Sequence, residues 1–221
     1  MLFALGQPAS FAGLVIAFLL AVTVRAVMLR LVLRWVGHLF GRVPLLPDPR
    51  RDLDPFGAVA AALGGTGWGH GVDDPPRGRG RQAIVYAVGP LVGLVLGELG
   101  LLAFTLVYPD YSAALLINEP SDVLRGAIAP TAGAQMLLSV AVGLLCFGLL
   151  ALVPLPPLDG FGLLWASMRR PTAGGLKARH WLADNNLGVV ALLILLIFPF
   201  GAPLLHWLFD LVGGPLMRMW A

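Results

Sequence analysis

The stretch ALVPLPPLDGFG, residues 151–162, decides the predicted fold of this chain. It closes a long apolar run with three prolines, which cannot continue a helix because proline lacks the backbone N–H and clashes with the preceding turn. A lone acid, Asp159, follows the prolines and is therefore predicted to lie in or near the membrane on broken backbone. A carboxylate at that depth is costly, which indicates a functional site. The alternative is that the prolines only form a loop at a helix end.

The composition indicates an integral membrane protein with a single membrane domain, residues 1–221. The chain is 58% hydrophobic and 12% charged, with a mean hydropathy of +0.84, whereas soluble domains carry about 25% charged residues. The net charge of +3 does not indicate a nucleic-acid partner, because the basic residues flank apolar segments as membrane topology requires. The single cysteine, Cys146, excludes a disulfide within the chain and is interpreted as a packing residue.

The apolar segments predict an all-α integral membrane protein, a polytopic bundle of about four to five transmembrane helices. Four spans are predicted at 11–36, 82–107, 134–153 and 187–200. The final segment, 202–221, is apolar but interrupted by Gly213-Gly214-Pro215. It is therefore predicted either to lie in the interface or to form a partial fifth span.

A connector rich in proline and glycine, residues 37–81, separates the first two spans. Its apolar run 58–63 is too short to cross a bilayer, so a re-entrant or interfacial segment is predicted. Basic residues number six in 37–82 and four in 169–180, whereas the connector 108–133 holds only Arg125. The positive-inside rule therefore places both basic connectors in the cytoplasm and the N-terminus outside. Richness in alanine and arginine indicates a bacterial source, hence a bacterial plasma membrane.

Four short motifs occur at fixed places in the chain: PLPPLDG at 154–160, Gly89-Pro90-Leu91, Asp54-Pro55-Phe56-Gly57 and Gly67-Trp68. Together they resemble the site-2 protease family of intramembrane zinc metalloproteases over residues 11–168. The resemblance implies a three-helix core within 10–170, followed by extra C-terminal helices in 171–221. It also implies that the motif aspartate is the family's third zinc ligand. The remnant of that motif consists of Pro154, Pro156, Leu158, Asp159 and Gly160.

The chain departs from the family where the other zinc ligands belong. Family members carry H-E-x-x-H in the first core helix, where two histidines on one helical face hold zinc and the glutamate acts as general base. Placing Gly37 on the family's following glycine aligns that motif with Arg25-Ala26-Val27-Met28-Leu29, and residues 1–37 contain no histidine and no acid. The family's two asparagines correspond here to Ala151 and Gly93. The sequence therefore predicts no metal, no other cofactor and no catalytic residue.

Arg25 stands at the position of the first family histidine, which indicates a replacement for the metal. A buried cation facing the buried anion of Asp159 would join two core helices, since leaving either charge unpaired is expensive. We therefore predict an Arg25–Asp159 ion pair, direct or through one water. The alternative is that Arg25 extends to the membrane surface while Asp159 caps a helix that starts near Phe161.

The second span contains one further charge and a row of small residues. Glu98 is interpreted either as a proton or ion site, or as a carboxyl paired with a neighbouring helix. Glycines in this span permit close helix approach, and its Gly-Pro pair predicts a kink. The candidates for a helix interface are Gly89, Pro90, Gly93, Gly97 and Glu98.

The sequence predicts that the chain is not an enzyme but a site-2-protease-like membrane scaffold. In this interpretation it is an accessory, assembly or regulatory subunit that binds transmembrane helices of a larger membrane complex, within the lipid bilayer.

Three alternatives remain open. An active protease with a non-standard zinc site predicts bound zinc, and a transporter or channel predicts paired intramembrane polar groups. A cofactor- or pigment-binding subunit predicts a histidine within a span, for which His206 near a span end is the candidate.

Overall fold

A computed structural model describes the chain except residues 37–44, 73–74, 128, 198 and 201. Its α-helices are α1 (Pro8–Trp35), α2 (Pro49–Asp52), α3 (Pro55–Gly64), α4 (Arg79–Val107), α5 (Ala114–Ile117), α6 (Pro120–Val123), α7 (Ala132–Ala151), α8 (Asp159–Ser167), α9 (Ala173–Arg179), α10 (Leu187–Ile197) and α11 (Leu204–Arg218). Short 3-10 turns form at Leu2–Gly6 and Pro109–Tyr111, a π-helical turn at His180–Asp184, and paired two-residue strands at Pro199–Phe200 and Ala202–Pro203. This architecture confirms the predicted all-α membrane bundle.

Helix α7 lies at the centre of the bundle. Within the described residues, three helices are long and apolar enough to cross a membrane, namely α1, α4 and α7. In α7, 78% of the apolar stretch is buried, compared with 44% in α1 and 33% in α4. Both outer helices pack along α7, and α4 also packs against α8. The outer faces of α1 and α4 carry exposed apolar side chains such as Leu19 and Leu99, which suit contact with lipid.

Close packing of α4 on α7 depends on the glycines of α4. A Cβ atom added to Gly97 would lie 2.7 Å from the Cα of Leu145, and one added to Gly93 would overlap the backbone of Gly148. Small residues at a membrane helix interface let two backbones approach and gain van der Waals contact. Two of the predicted interface residues, Gly93 and Gly97, therefore lie at an interface within the chain, and α4 continues through Pro90.

The C-terminal part contains one bent candidate span and one shorter helix. Together, Ala173–Asp184 and Leu187–Ile197 are long and apolar enough to form a span, but the two helices are bent by 72° from each other. Counting this pair as one span gives up to four spans in the described residues. Helix α11 has 15 residues, about 22 Å, which is less than the roughly 30 Å of a hydrocarbon core. The predicted interruption at Gly213-Gly214-Pro215 is wrong, because α11 continues through Pro215 to Arg218. Gly213 there faces Pro120 and Leu149, so its lack of a side chain serves packing.

Residues 53–69 form a hairpin that enters and leaves at one end of the bundle. At its base, Leu53 pairs with Gly69 in an antiparallel bridge and the N–H of His70 donates to the Asp52 carbonyl at 2.8 Å. Helix α3 runs inward from there for 10 residues, about 15 Å or half of a hydrocarbon core. At its tip, Gly64 and Gly65 contact Leu196 and Leu124. This geometry favours the re-entrant form of the predicted short segment.

The two weak motifs of the connector meet in this hairpin. Asp54 Oδ1 accepts hydrogen bonds from the N–H groups of Phe56 at 2.8 Å and Gly57 at 3.0 Å, so it caps α3. Pro55 occupies the first helical position, where its missing N–H costs nothing. A Cβ on Gly57 would overlap the carbonyl oxygen of Trp68. The aspartate, proline and glycine therefore start the inward helix and let the outgoing segment around Trp68 pack against it.

Replacing Asp54 by alanine is expected to lower the free energy of unfolding by about 1 kcal/mol, because the cap of α3 is lost. The measurement is unfolding in mixed detergent micelles by a denaturing detergent. The matched control is Asp110→Ala, which removes an exposed acid outside any α-helix and is expected to stay within about 0.5 kcal/mol of wild type. Equal effects of the two substitutions would contradict the capping role.

Candidate functional site

The proline loop carries Asp159 from the end of α7 to the interior of the bundle. Helix α7 ends at Ala151, and α8 begins at Asp159 after Leu158, which lies at the N-cap position with a side chain that is 4% exposed. A Cβ on Gly160 would overlap the carbonyl of Leu152, so this glycine lets α8 start directly against the end of α7. The motif thus breaks the helix between α7 and α8 and leaves Asp159 itself 5% exposed.

The structure brings Arg25 of α1 and Asp159 of α8 into direct contact. Arg25 Nε donates to Asp159 Oδ2 at 2.9 Å, and Arg25 Nη2 donates to Asp159 Oδ1 at 2.7 Å. This two-bond arrangement is the strong, planar form of an arginine–carboxylate pair. Asp159 does not cap α8 with its own side chain. Burial removes water from both groups, and their pairing offsets the cost that either charge alone would carry.

A second set of contacts ties the same end of α1 to the hairpin. The remaining guanidinium nitrogen of Arg25, Nη1, donates to the His70 carbonyl at 2.8 Å. Arg30, one turn further along α1, pairs with Asp52 Oδ1 at 2.6 Å and donates to the Leu46 carbonyl at 2.8 Å. Both cations are buried and partnered, so α1, the hairpin base and α8 are held together at one end of the bundle.

Helix α4 closes this site with a glycine. A Cβ on Gly89 would overlap Asp159 Oδ2 and lie 2.9 Å from Arg25 Nε. The remaining space beside the pair is a cavity of about 10 Å³ with Trp68 and Phe147 among its walls, which is about enough for one water molecule. The site therefore holds a closed ion pair, and Gly89 is the residue of α4 that makes room for it.

Glu98 lies elsewhere on α4 and contacts the C-terminus of the chain. Its Oε2 accepts a hydrogen bond from the indole N–H of Trp220 at 2.6 Å, and its Oε1 is buried without a hydrogen-bond partner among the described residues. Trp220 follows α11, so this contact fastens the end of the chain to α4. The structure therefore does not bring Glu98 to the Arg25–Asp159 pair.

A polar cluster at the far end of the bundle was not predicted. His206 of α11 is 3% exposed, and its Nε2 donates to the Gly64 carbonyl at the hairpin tip, at 3.1 Å. Its Nδ1 faces Arg125 Nη2 at 3.5 Å. Asp210, one turn along α11, accepts from the N–H and the hydroxyl of Ser121, each at 2.8 Å. The signal available in the sequence was the polar spacing of positions 206 and 210 within an apolar segment.

Burial of the imidazole and the nearby Arg125 charge lower the pKa of His206 below its usual value, while the Gly64 hydrogen bond and Asp210 oppose this effect. The folded state therefore binds the proton less readily than the unfolded state, whose histidine pKa is about 6.5. We expect the free energy of unfolding to fall as the pH drops below about 6.5. The measurement is the midpoint of unfolding against pH for wild type and His206→Gln, which retains a donor for Gly64. The difference between the two proteins must grow toward low pH, and a constant difference would contradict this role.

Comparison with curated proteins finds one that is 28% identical over 169 residues, covering 73% of this chain and 68% of the other. It is the Bacillus subtilis (strain 168) protein named "Putative zinc metalloprotease YwhC". This chain is similar to a protein of that name. No family model matches the chain, and no solved structure matches it. The similarity supports the site-2-protease-like relationship to which the motifs pointed.

The same comparison overturns one prediction. The sequence predicted that the chain is not an enzyme. This prediction is wrong, because the chain is similar over 73% of its length to the Bacillus subtilis protein, whose name points to a protease. That prediction relied on the absence of H-E-x-x-H from α1. The missing motif describes one ligand set and does not by itself decide whether a chain is an enzyme.

The described residues around Asp159 do not fit a zinc ion. A catalytic zinc takes about three protein ligands and keeps an open position, but within the described ranges no three histidine, cysteine or acidic residues group closely enough to hold a metal. Both oxygens of Asp159 instead accept hydrogen bonds from a guanidinium cation. Gly37 and His38 lie outside the described residues.

Proposed function

We propose that this chain is a site-2-protease-like membrane protein that binds transmembrane helices of other membrane proteins as a component of a larger membrane complex. The observation that carries the proposal is a shallow, open apolar surface of about 260 Å³ along α10, which we call the groove and which is lined by Val190, Leu193, Ile194 and Ile197. These positions follow the spacing of one helical face. A helix fits a groove of this kind with van der Waals contacts that mobile lipid chains make less completely.

The packing of α10 supports this use of the groove. Leu192 and Leu196 are 0% and 1% exposed, and α10 uses them to pack on the rest of the bundle, including α3 and α11. Leu196 meets the hairpin tip at Gly64. The groove residues lie on the other side of the same helix, where Val190 and Ile194 are half exposed. One face of α10 is therefore fixed in the protein while the other remains open to a second helix.

We further propose that the protein resides in a bacterial plasma membrane with its N-terminus outside. The basic connectors support this orientation, because the segment before α4 and the segment after α8 lie at the same end of the bundle and hold most of the basic residues. Under the positive-inside rule that end faces the cytoplasm. An accessory, assembly or regulatory role within a complex is compatible with either a cleaved or an intact bound helix.

The test is site-specific photocrosslinking in membranes of the source bacterium. A photoreactive amino acid at Ile194 is expected to crosslink to a transmembrane segment of a discrete membrane protein, identified by mass spectrometry of the crosslinked peptide. The matched control is the same probe at Leu99, which is 55% exposed on the outer face of α4 and is expected to reach lipid. A second variant, Val190→Trp, fills the groove and is expected to abolish the crosslink. The proposal is overturned if the probe at Ile194 crosslinks only to lipid, or if the probe at Leu99 crosslinks to protein as often as the probe at Ile194.

Proteolysis is the second candidate function, and the name of the Bacillus subtilis protein favours it. The captured protein is therefore compared in cells with wild-type chain and with Asp159→Asn. A cut within the captured transmembrane segment that is lost in Asp159→Asn but retained in Arg25→Met, a variant expected to be similarly destabilised, would assign proteolysis to this chain. A captured protein of unchanged length in both strains would leave helix binding as the activity of the groove.

A further inference from the structure

The helix before α10 turns across the end of the bundle. Ala173–Asp184 consists of α9 and the π-helical turn and is bent by 72° from Leu187–Ile197. Because α10 is the strongly apolar member of this pair, a membrane orientation for α10 places the preceding helix close to the plane of the membrane surface. Its position next to the start of α4 puts it at the level where the long helices leave the bilayer.

One face of this helix is fixed to the protein. Arg179, Leu182 and Ala183 line a cavity of about 310 Å³ that also has Tyr86 and Trp165 in its walls. The guanidinium carbon of Arg179 lies 4.7 Å from the centroid of the Trp165 ring, a cation–π contact that joins the helix to α8. The orientation of this helix on the bundle is therefore set by the fold.

The exposed side chains of this helix and of the segment just before it combine cations with apolar residues. Leu176 is 53% exposed and Trp181 is 50% exposed, with the exposed Lys177 between them in sequence. Arg169 and Arg170, just before the helix, are also exposed. The acid of the helix, Asp184, lies at its C-terminal end, with Oδ2 at 2.9 Å from Nδ1 of His180. We refer to these five residues, Arg169, Arg170, Leu176, Lys177 and Trp181, as the basic surface.

We propose that the basic surface binds the anionic phospholipid headgroups of the membrane that the chain spans. Tryptophan and leucine insert at the boundary between headgroups and acyl chains, while lysine and arginine pair with lipid phosphates above it. Long basic side chains reach this level readily because their stems lie along apolar surface. The surface has three cations, and each of its two apolar residues is about half exposed in the described chain. This inference does not depend on what the groove of α10 binds.

The test uses the full chain in lipid nanodiscs and measures hydrogen exchange of residues 173–184. We expect exchange in phosphatidylcholine discs that also contain phosphatidylglycerol to be at least about tenfold slower than in discs of phosphatidylcholine alone. The reason is that each cation near an anionic surface favours binding to that surface about fivefold. The triple variant Arg169→Gln, Arg170→Gln, Lys177→Gln is expected to lose this slowing. Wild-type protein at high salt is expected to lose most of it as well, since salt screens exposed charges.

The matched control removes three exposed arginines from the same end of the bundle outside the basic surface, as Arg50→Gln, Arg51→Gln, Arg77→Gln. This control is expected to keep the lipid-dependent slowing. Equal exchange in both kinds of disc would overturn the proposal, and so would an equal loss in the control variant, which would indicate net charge rather than a defined surface. Inorganic phosphate added to phosphatidylcholine discs must not reproduce the effect. If it does, the surface binds a soluble anion and the lipid proposal fails.

Discussion

Replacing Arg25 by methionine is expected to lower the free energy of unfolding by about 3–5 kcal/mol, the cost of breaking a buried ion pair by removing one partner. The side chain of Asp159 is 4% exposed, so its carboxylate would remain buried with both oxygens unpaired. The measurement is unfolding of the purified protein by a denaturing detergent in mixed micelles. Asp159→Asn is expected to destabilise by a similar amount, because it leaves the Arg25 cation without its counter-ion.

Two further variants separate pairing from the loss of a side chain. The double variant Arg25→Met, Asp159→Leu removes both charges, and replacing a buried pair by apolar residues is often neutral or stabilising. We therefore expect it to be more stable than either single variant, and Arg25→Asp, Asp159→Arg to fold better than its two single reversals. The control is Arg50→Met, an exposed arginine expected to stay within about 0.5 kcal/mol of wild type. A double variant as unstable as the sum of the singles would contradict the pairing.

Gly89→Ala is expected to cost about 3 kcal/mol, although it adds only one methyl group. That methyl would overlap Asp159 Oδ2 and crowd Arg25 Nε, so either α4 moves away from α8 or the ion pair separates. Overpacking of a tight site alone costs about 1–3 kcal/mol, and separating the pair adds to that cost. The measurement is again the free energy of unfolding, together with the yield of folded protein from membranes.

The matched control for this substitution lies on the same helix. Gly80 has nothing within 4 Å of the place where its Cβ would lie, and Gly80→Ala is expected to be neutral or to stabilise α4 by up to about 1 kcal/mol. If Gly89→Ala is as harmless as Gly80→Ala, Asp159 does not occupy the space that the structure assigns to it. The comparison thus tests the site without removing either charge.

Hydropathy and motif spacing predicted the helices of this protein more readily than the contacts between them. The long helices follow from uninterrupted apolar runs, and the inward helix α3 follows from a run too short to cross a bilayer. Arg25 and Asp159 were both identifiable because a charge within an apolar run needs a partner. Their contact was one of two interpretations, since nothing local to either residue determines which distant group it meets.

The remaining features depend on contacts between distant segments, which a single sequence does not show. The bond between His206 and Gly64 spans 142 positions and that between Trp220 and Glu98 spans 122. The interruption predicted at Gly213-Gly214-Pro215 failed for the same reason, because the fit of Gly213 against Pro120 is a tertiary contact that outweighs local preference. The correction concerning enzymatic activity came from comparison with another protein and not from any residue of the site.

The distance along the chain between Arg25 and Asp159 has a consequence for synthesis. The two residues are 134 positions apart, and a ribosome adding about 5–20 residues per second needs roughly 7–27 s to make the intervening chain. During that interval Arg25 lacks the carboxylate that it pairs with in the folded protein, and an unpaired charge within a membrane is costly. The ion pair therefore forms only after α1, the hairpin, α4 and α7 have all been synthesised, which makes it one of the last contacts of the bundle to become available.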